Sequence, residues 1–224
     1  MPKPISYQSI NHPLYQRFTD WLRQIEPTIS SEQILTPWRR LVSRYSEAHR
    51  HYHTLTHLER MFADFDIVMN QLYSPSLVAL AIFYHDIIYD PKQSDNEAQS
   101  AEFMQTELRF YLQPKQIARI KSLIIMTASH KLAAIGGIRE SDAAYFLDLD
   151  LSILGSTWND YQQYAKAVRL EYRHVADYDY QQGRVSILQS LLAHNRLYLS
   201  DDYYERLESV ARDNIHREIE LLML

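Results

Sequence analysis

The stretch LVALAIFYHDIIYDP, residues 77–91, carries the strongest structural signal in the chain. Its first eight residues are apolar or aromatic without interruption, and His85 and Asp86 follow at once. We predict that the preceding pair Ser74-Pro75 starts the helix that carries this run. A charged carboxylate delivered into apolar surroundings costs on the order of several kcal/mol unless something compensates it. The sequence therefore raises the question of what compensates Asp86.

The composition favours an all-α fold. The chain has 224 residues, of which only four are glycine. So few glycines leave little room for hairpin turns, left-handed caps or phosphate-binding loops. The length is sufficient for one domain with a sizeable core, and no linker or repeat marks a boundary. We therefore predict a single all-helical domain over residues 1–224.

Several classes of protein and site are excluded by what the sequence lacks. The longest apolar run falls far short of the roughly 20 residues that a membrane span requires, and the N-terminus has no signal-peptide core, so we predict a cytoplasmic protein. The absence of cysteine leaves histidine, aspartate and glutamate as the strong metal ligands. A net charge of −5 without a long basic block argues against duplex nucleic acid or a membrane surface as partner.

Prolines and small polar residues divide the chain into about nine or ten predicted helices. Their predicted starts are Pro13, Thr36-Pro37, about Thr54, Ser74-Pro75, the polar loop 91–95, Pro114, Asp142, Ser156 or Thr157, about Arg184, and Asp201.

Glycines and one polar segment define several of the predicted helix ends. The segment AAIGGIRESD, residues 133–142, is predicted to be a loop whose Asp142 caps the next helix. Gly155 ends that helix in the C′ position that favours glycine. The following helix runs to about Tyr180, and Gly183 breaks it.

Four features place histidine or aspartate in apolar company. They are His53 and His57 in RHYHTLTH, the pair His85-Asp86, Asp148 and Asp150 in FLDLDLSILG, and His130 at the end of MTASH. Residues four apart share a helix face, although His53 can lie just before the helix. Neighbours diverge by about 100°, so His85 and Asp86 reach one metal ion only if their helix ends or distorts there.

Each of these features also has a purely structural interpretation. A histidine can be packed or lie at the surface, Asp86 can be a cap or an ion-pair acid, and His130 can complement a helix dipole. Of the two later aspartates, Asp150 has the more apolar neighbours three and four residues away. We therefore predict that Asp150 is the deeply buried one, and that Asp148 has an outer role at the metal site or pairs with another helix.

Taken in order, a histidine, a His-Asp pair and a distant aspartate resemble the HD-domain superfamily of metal-dependent phosphohydrolases. The pattern falls on His57, His85, Asp86 and Asp150. The resemblance extends over roughly residues 38 to 220, and in this range the sequence is similar to a bacterial subgroup of such enzymes. The segments that carry it are RHYHTLTHL, FYHDIIYDP, DNEAQSAEF, FLDLDLSILG, RLEYRHV, GRVSIL and VARDNI.

This resemblance implies an HD-domain-like helical bundle with its metal-site core at about residues 38–155, completed by the C-terminal helices. The four residues would hold one divalent ion, with Mn, Fe, Co, Ni, Mg and Zn all open, and a metal-activated water would hydrolyse a phosphomonoester or a nucleotide-like phosphoanhydride. Asp86 would be both a ligand and the group that positions the water. The ion would thus compensate Asp86.

Further residues are candidates for supporting roles. Glu97 could act as general acid or base, while Arg50, Asn96 and Arg184 are candidates for substrate binding, although the arginines of the C-terminal third also suit buried ion pairs. His53, His130 or Asp148 could bind a second metal ion, or could lie just outside the ligands of the first ion. Two alternatives therefore stay open: a diiron oxygenase on the same scaffold, and a noncatalytic module that binds metal or nucleotide. The expected partner is a small phosphorylated molecule or nucleotide, with a homodimer possible.

Overall fold

The computed structural model describes residues 10–132 and 139–224, and in these ranges the chain forms ten α-helices and no strand. The helices are α1 (Pro13–Ile25), α2 (Ser31–Tyr45), α3 (Leu55–Val68), α4 (Pro75–Tyr84), α5 (Asn96–Leu108), α6 (Pro114–Met126), α7 (Arg139–Leu151), α8 (Trp158–Glu171), α9 (Asp177–Leu192) and α10 (Asp201–Leu222). The predicted all-α fold with about nine or ten helices is confirmed for this part of the chain. Within it, no helix is long and apolar enough to cross a membrane.

The chain divides into two compact units, residues 1–143 and 144–224, and the division falls within α7. The first unit contains α1 to α6, and the second contains α8 to α10. The predicted single domain over the whole chain stays a prediction.

Helix α4 is the centre of the first unit. It packs against α1, α3, α5 and α6. All seven residues from Val78 to Tyr84 have no exposed surface. A helix that is apolar all round is stable in water only when other elements surround it. Its predicted start is confirmed, since Ser74 precedes the helix and Pro75 is its first residue.

A distant aspartate completes the beginning of α4. The carboxylate of Asp142 accepts hydrogen bonds from the backbone N–H groups of Tyr73, at 2.8 Å, and Ser74, at 3.1 Å. The prediction that Asp142 caps its own helix is wrong, because α7 already begins at Arg139. The predicted loop 133–142 is therefore helical in its last four residues, and residues 133–138 lie outside the described ranges.

Helix α2 begins earlier than its proline indicates. The predicted start was Thr36-Pro37, whereas the helix starts at Ser31 and Pro37 lies inside it. Ser30 and Gln33 form a reciprocal capping box, with hydrogen bonds of 3.2 and 2.9 Å between each side chain and the other's backbone N–H. Ile34 is completely buried, so the first turn gains apolar contacts that the proline does not disturb.

In the second unit, α10 packs against a short 3-10 turn at Ser152–Gly155 and against α9. A Cβ atom added to Gly155 would lie 2.6 Å from Cβ of Leu207, which is on α10. Gly155 ends the segment as predicted, but its backbone is not in the left-handed region. The glycine is needed because two elements approach closely there, and the predicted C′ conformation is wrong.

The boundary between α8 and α9 also differs from the prediction. One helix was expected to run to about Tyr180 and to be broken by Gly183, but α8 ends at Glu171 and Gly183 lies inside α9. The guanidinium of Arg169 donates to the carbonyl oxygens of Tyr172 and Val175 at 2.8 and 3.1 Å. These bonds satisfy the backbone of the connecting turn, so the chain bends there.

Candidate metal centre

The end of α4 brings His85 and Asp86 to one side. The helix ends at Tyr84, although the N–H of His85 still donates to the carbonyl of Ala81 at 2.9 Å. Nε2 of His85 lies 3.1 Å from Oδ2 of Asp86. The helix therefore ends at this pair, which meets the condition under which both side chains can reach one ion.

His57 lies in the first turn of α3, and its side chain is buried. Its Nε2 is 3.2 Å from Nε2 of His85, which is also buried. Thr54 precedes the helix, as predicted, and accepts a backbone hydrogen bond from His57 at 3.1 Å. Two histidines that are 28 positions apart in the chain thus direct the same ring nitrogen at each other.

A backbone carbonyl determines which nitrogen of His85 carries the proton. Nδ1 of His85 lies 2.9 Å from the carbonyl oxygen of Ile82. Because a carbonyl can only accept, Nδ1 is the protonated nitrogen of the neutral ring, and Nε2 presents its lone pair towards His57 and Asp86. A metal-ligating histidine usually makes this kind of bond through its other nitrogen.

The distances between these atoms fit ligands of one ion. Two atoms with bonds of about 2.1 Å to a metal lie about 3.0 Å apart at a right angle and about 3.4 Å apart at the tetrahedral angle. The separation between His57 and His85 is 3.2 Å, and that between His85 and Asp86 is 3.1 Å. These lone-pair donors therefore suit a shared cation, and both histidines are among the side chains that could hold a metal ion.

The other two candidate histidines lie differently. His53 precedes α3; its Nε2 is 3.8 Å from Oδ2 of Asp86, and its ring packs against Tyr89 with centroids 4.1 Å apart. It is thus beside the carboxylate of Asp86. His130 follows the end of α6 with a left-handed backbone, φ 49°, and a half-buried side chain.

The loop after Asp86 is held by the start of α5. Asn96 accepts a hydrogen bond from the N–H of Asp90 at 3.0 Å and donates to the Asp90 carbonyl at 2.9 Å. Ser100 bonds both the N–H and the carbonyl of Ile88, at 3.1 and 3.2 Å. Asn96 therefore stabilises the conformation of this loop through hydrogen bonds to its backbone. Its predicted contact with substrate stays a prediction. Glu97 is half-buried in the first turn of α5.

Arg50 is engaged with the protein itself. Its side chain is fully buried, and the guanidinium donates to three backbone carbonyls, among them that of Asp86 at 2.6 Å. The sequence makes this guanidinium one candidate for binding a substrate phosphate, and that role stays a prediction. The described contacts instead place it beneath the loop that carries Asp86.

Asp148 is the more buried of the two later aspartates, with no exposed surface. Its carboxylate accepts hydrogen bonds from the N–H groups of Leu199 and Ser200, both at 2.7 Å, and from Oγ of Ser200 at 2.5 Å. Ser200 is the residue before α10, so Asp148 caps the start of that helix. Burial raises the pKa of Asp148 to about 6, against the opposing effect of these hydrogen bonds. The helix-pairing alternative for Asp148 is the one that agrees with these contacts.

Asp150 belongs to the second unit and is half-buried in the last turn of α7. The prediction that Asp150 is the deeply buried one of the pair is wrong. Apolar neighbours along one helix measure only the local surroundings, whereas the burial of Asp148 comes from the segment around Ser200, 52 positions away.

Arg184 also has protein partners. Its guanidinium binds both carboxylate oxygens of Glu218, at 2.8 and 3.0 Å, and the hydroxyl of Tyr164 at 3.1 Å. Tyr161 donates its hydroxyl to the same carboxylate at 2.5 Å. This buried ion pair agrees with the ion-pair alternative for the C-terminal arginines. A role of Arg184 in substrate binding stays a prediction.

Sequence reasoning missed one contributor to the site and the structural role of another. The carbonyl of Ile82 orients His85, but a backbone acceptor leaves no mark on the sequence. The hydrogen bonds of Arg50 to backbone carbonyls around Asp86 have only one sequence signal, an arginine three residues before His53. Comparisons with models of known protein families, with curated proteins and with solved structures gave no match for this chain.

Proposed function

We propose that this protein is a metal-dependent phosphohydrolase of the HD-domain type that hydrolyses a phosphomonoester or a nucleotide-like phosphoanhydride. The observation that carries the proposal is the pair of buried Nε2 atoms of His57 and His85, 3.2 Å apart, with the proton of His85 held on Nδ1 by a carbonyl. The order of His57, His85, Asp86 and Asp150 along the chain supports the choice of family.

The proposed ligands are these same four residues. His57 and His85 offer buried ring nitrogens that could hold a metal ion, and Asp150 is proposed as a ligand because of its place in the order of residues along the chain. Asp86 differs from them because its carboxylate contacts His85 on one side and lies near His53 on the other. This position suits the double role proposed for Asp86, as a ligand and as the acceptor of a hydrogen bond from the reacting water.

A divalent ion at this place supplies Lewis-acid polarisation of a phosphoryl oxygen and a lower pKa for water. Asp86 orients the attacking water and accepts its proton. The water oxygen then bonds to phosphorus while the bond from phosphorus to the leaving oxygen breaks. Glu97 is proposed to return a proton to that oxygen. The carbonyl of Ile82 lies against Nδ1 of His85, so Nε2 is the ring atom of His85 that is directed towards the proposed ion.

The test is metal binding followed by hydrolysis. Purified protein is loaded with Mn²⁺, Ni²⁺ or Co²⁺ and assayed on a panel of phosphomonoesters and nucleotides. We expect hydrolysis that needs the metal and that H57A and H85A abolish. An ion at 100 times its Kd also stabilises the folded protein by about 2.7 kcal/mol, which is seen as a rise in Tm that both variants lose.

The matched control is H174Q, which changes an exposed histidine of the second unit. It should retain both the activity and the metal-dependent rise in Tm. A wild-type protein that binds no divalent ion, or that binds one and leaves the entire panel intact, contradicts the proposal.

The position of His53 favours a second candidate function. Its Nε2 lies 3.8 Å from a carboxylate oxygen of Asp86, so His53 and Asp86 could take part in holding a second ion. This arrangement would suit a diiron oxygenase. Metal analysis separates the candidates: two iron equivalents per chain favour the oxygenase, and one divalent ion favours the phosphohydrolase.

A further inference from the structure

The side chain of Arg50 has no exposed surface, although it carries a permanent positive charge. Its Nη1 donates to the carbonyl of Asp86 at 2.6 Å and to that of His53 at 3.2 Å. Its Nη2 donates to the carbonyl of Ile87 at 3.0 Å, and its Nε donates to Glu47 at 3.1 Å. One guanidinium thus joins two segments of the chain that are more than 30 residues apart.

Aromatic rings enclose the same guanidinium. Its central carbon lies 5.0 Å from the ring centre of Tyr45 and 5.5 Å from that of Tyr89. The hydroxyl of Tyr45 bonds the carbonyl of Phe83, in the last turn of α4. The C-terminal end of a helix carries partial negative charge, so a buried cation just beyond α4 is favoured there. Hydrogen bonds in its plane and rings beside it leave Arg50 little freedom to move.

The two segments that Arg50 joins are those that carry the candidate ligands. One runs from His53 into the first turn of α3, where His57 lies, and the other contains His85 and Asp86. We propose that Arg50 is a positioning residue for the metal centre, which sets the distance between His57 and the His85-Asp86 pair. This inference rests on the proposed function, because it presumes that these residues bind an ion.

Arginine is suited to this task because of its shape. A guanidinium presents its N–H groups in a rigid plane and can bond several carbonyls at once, whereas a lysine ammonium is a single charge on a flexible chain. A lysine at position 50 would keep the charge but could not bond Asp86, Ile87 and His53 in the same geometry. The identity of the residue at position 50, and not only its charge, should therefore determine metal affinity.

The experiment compares R50K and R50Q with R44Q by titrating the full-length metal-free protein with Co²⁺. Arg44 is the matched control because it pairs with the same Glu47 at 3.1 Å but has a half-exposed side chain. Groups that orient metal ligands from the outer shell typically contribute about 10–100-fold to affinity. We expect the Kd for Co²⁺ to rise by that factor in both Arg50 variants and to change less than about twofold in R44Q.

The visible spectrum of the bound Co²⁺ provides a readout that a merely structural role would not change. We expect the bands of R50K to shift at saturating metal, because the angle between the ligands changes. E47Q decides the question if neither Arg50 variant folds: it releases one edge of the guanidinium, and we expect a weakening of the same sign but smaller.

The outcomes separate the two proposals. A wild-type protein that binds no Co²⁺ refutes the metal centre and the role of Arg50 with it. A wild-type protein that binds Co²⁺, together with a folded R50K of unchanged Kd and spectrum, refutes the positioning role alone. If the Arg50 variants are unfolded and E47Q binds Co²⁺ with the Kd of the wild type, the positioning role alone is likewise refuted.

Discussion

Replacement of Asp148 by alanine provides a demanding test of the structural assignments. The two aspartates of FLDLDL are two positions apart, yet the structure gives them different tasks. Asp148 caps the start of α10 through three short hydrogen bonds, and Asp150 is proposed to bind the metal. D148A should therefore unfold the protein more easily, whereas D150A should mainly weaken metal binding.

The magnitude follows from the donors that lose their acceptor. D148A leaves two backbone N–H groups and one hydroxyl without the carboxylate, and a buried donor without a partner costs about 1–3 kcal/mol. Part of this loss is offset, because a buried charge is removed and water can enter the start of α10. We expect a net loss of about 3–5 kcal/mol, or about 6–20 °C in Tm for a chain of this size.

The assay is urea unfolding of the metal-free variants, followed by circular dichroism at pH 8. At that pH the carboxylate of Asp148 is ionised, since burial raises its pKa to about 6 only. D150A should lose less than about 1 kcal/mol, because the side chain is half-buried. Equal losses for the two variants, or a loss below about 1 kcal/mol for D148A, would refute the assignment of the cap to Asp148.

Two further predictions concern single positions in the fold. G155A should destabilise the protein by about 1–3 kcal/mol, because the new methyl group would lie 2.6 Å from Cβ of Leu207. G183A should stabilise it by about 0.5–1 kcal/mol, because the residue is inside α9 and a methyl group added there would contact no other residue within 4 Å. Urea unfolding of the two variants should give opposite signs, and the same sign for both would contradict the packing described. D142A should lower the free energy of unfolding by about 1–3 kcal/mol, because two N–H groups at the start of α4 lose their acceptor. The control D20A, at an exposed position, should change it by less than about 0.5 kcal/mol. Thermal unfolding measures both, and an equal effect of D142A and D20A would speak against the cap.

Local sequence signals predicted the helical class and the position of several helices. The apolar run before His85 could only be a buried element, and Ser74-Pro75 marked its start because proline favours the first turn. The near absence of glycine correctly indicated an all-helical chain over the described residues. For the His85-Asp86 pair, geometry gave only a condition: the two side chains can reach one ion if their helix ends or distorts there, because neighbours on a helix point about 100° apart.

Two errors in helix boundaries arose where one local signal outweighed another. Pro37 indicated a helix start, but the capping box at Ser30 and Gln33 starts α2 a turn and a half earlier. Gly183 indicated a helix break near residue 183, but the helix ends at Glu171, just before the turn in which Arg169 bonds two backbone carbonyls. In each case the signal of a single residue was outweighed by hydrogen bonds between residues three to six positions apart in the chain.

The sequence by itself determined the helical class, the buried run of α4 and the kinds of ligand that any metal would find, because these depend on composition and on neighbours within a few residues. Only the tertiary structure decided that Asp148 is buried and caps α10, that Ile82 orients His85, and that Arg50 joins the two histidine-bearing segments. These assignments depend on backbone N–H and carbonyl groups, which are the same at almost every position. Folding alone therefore determines which of those groups a given side chain meets.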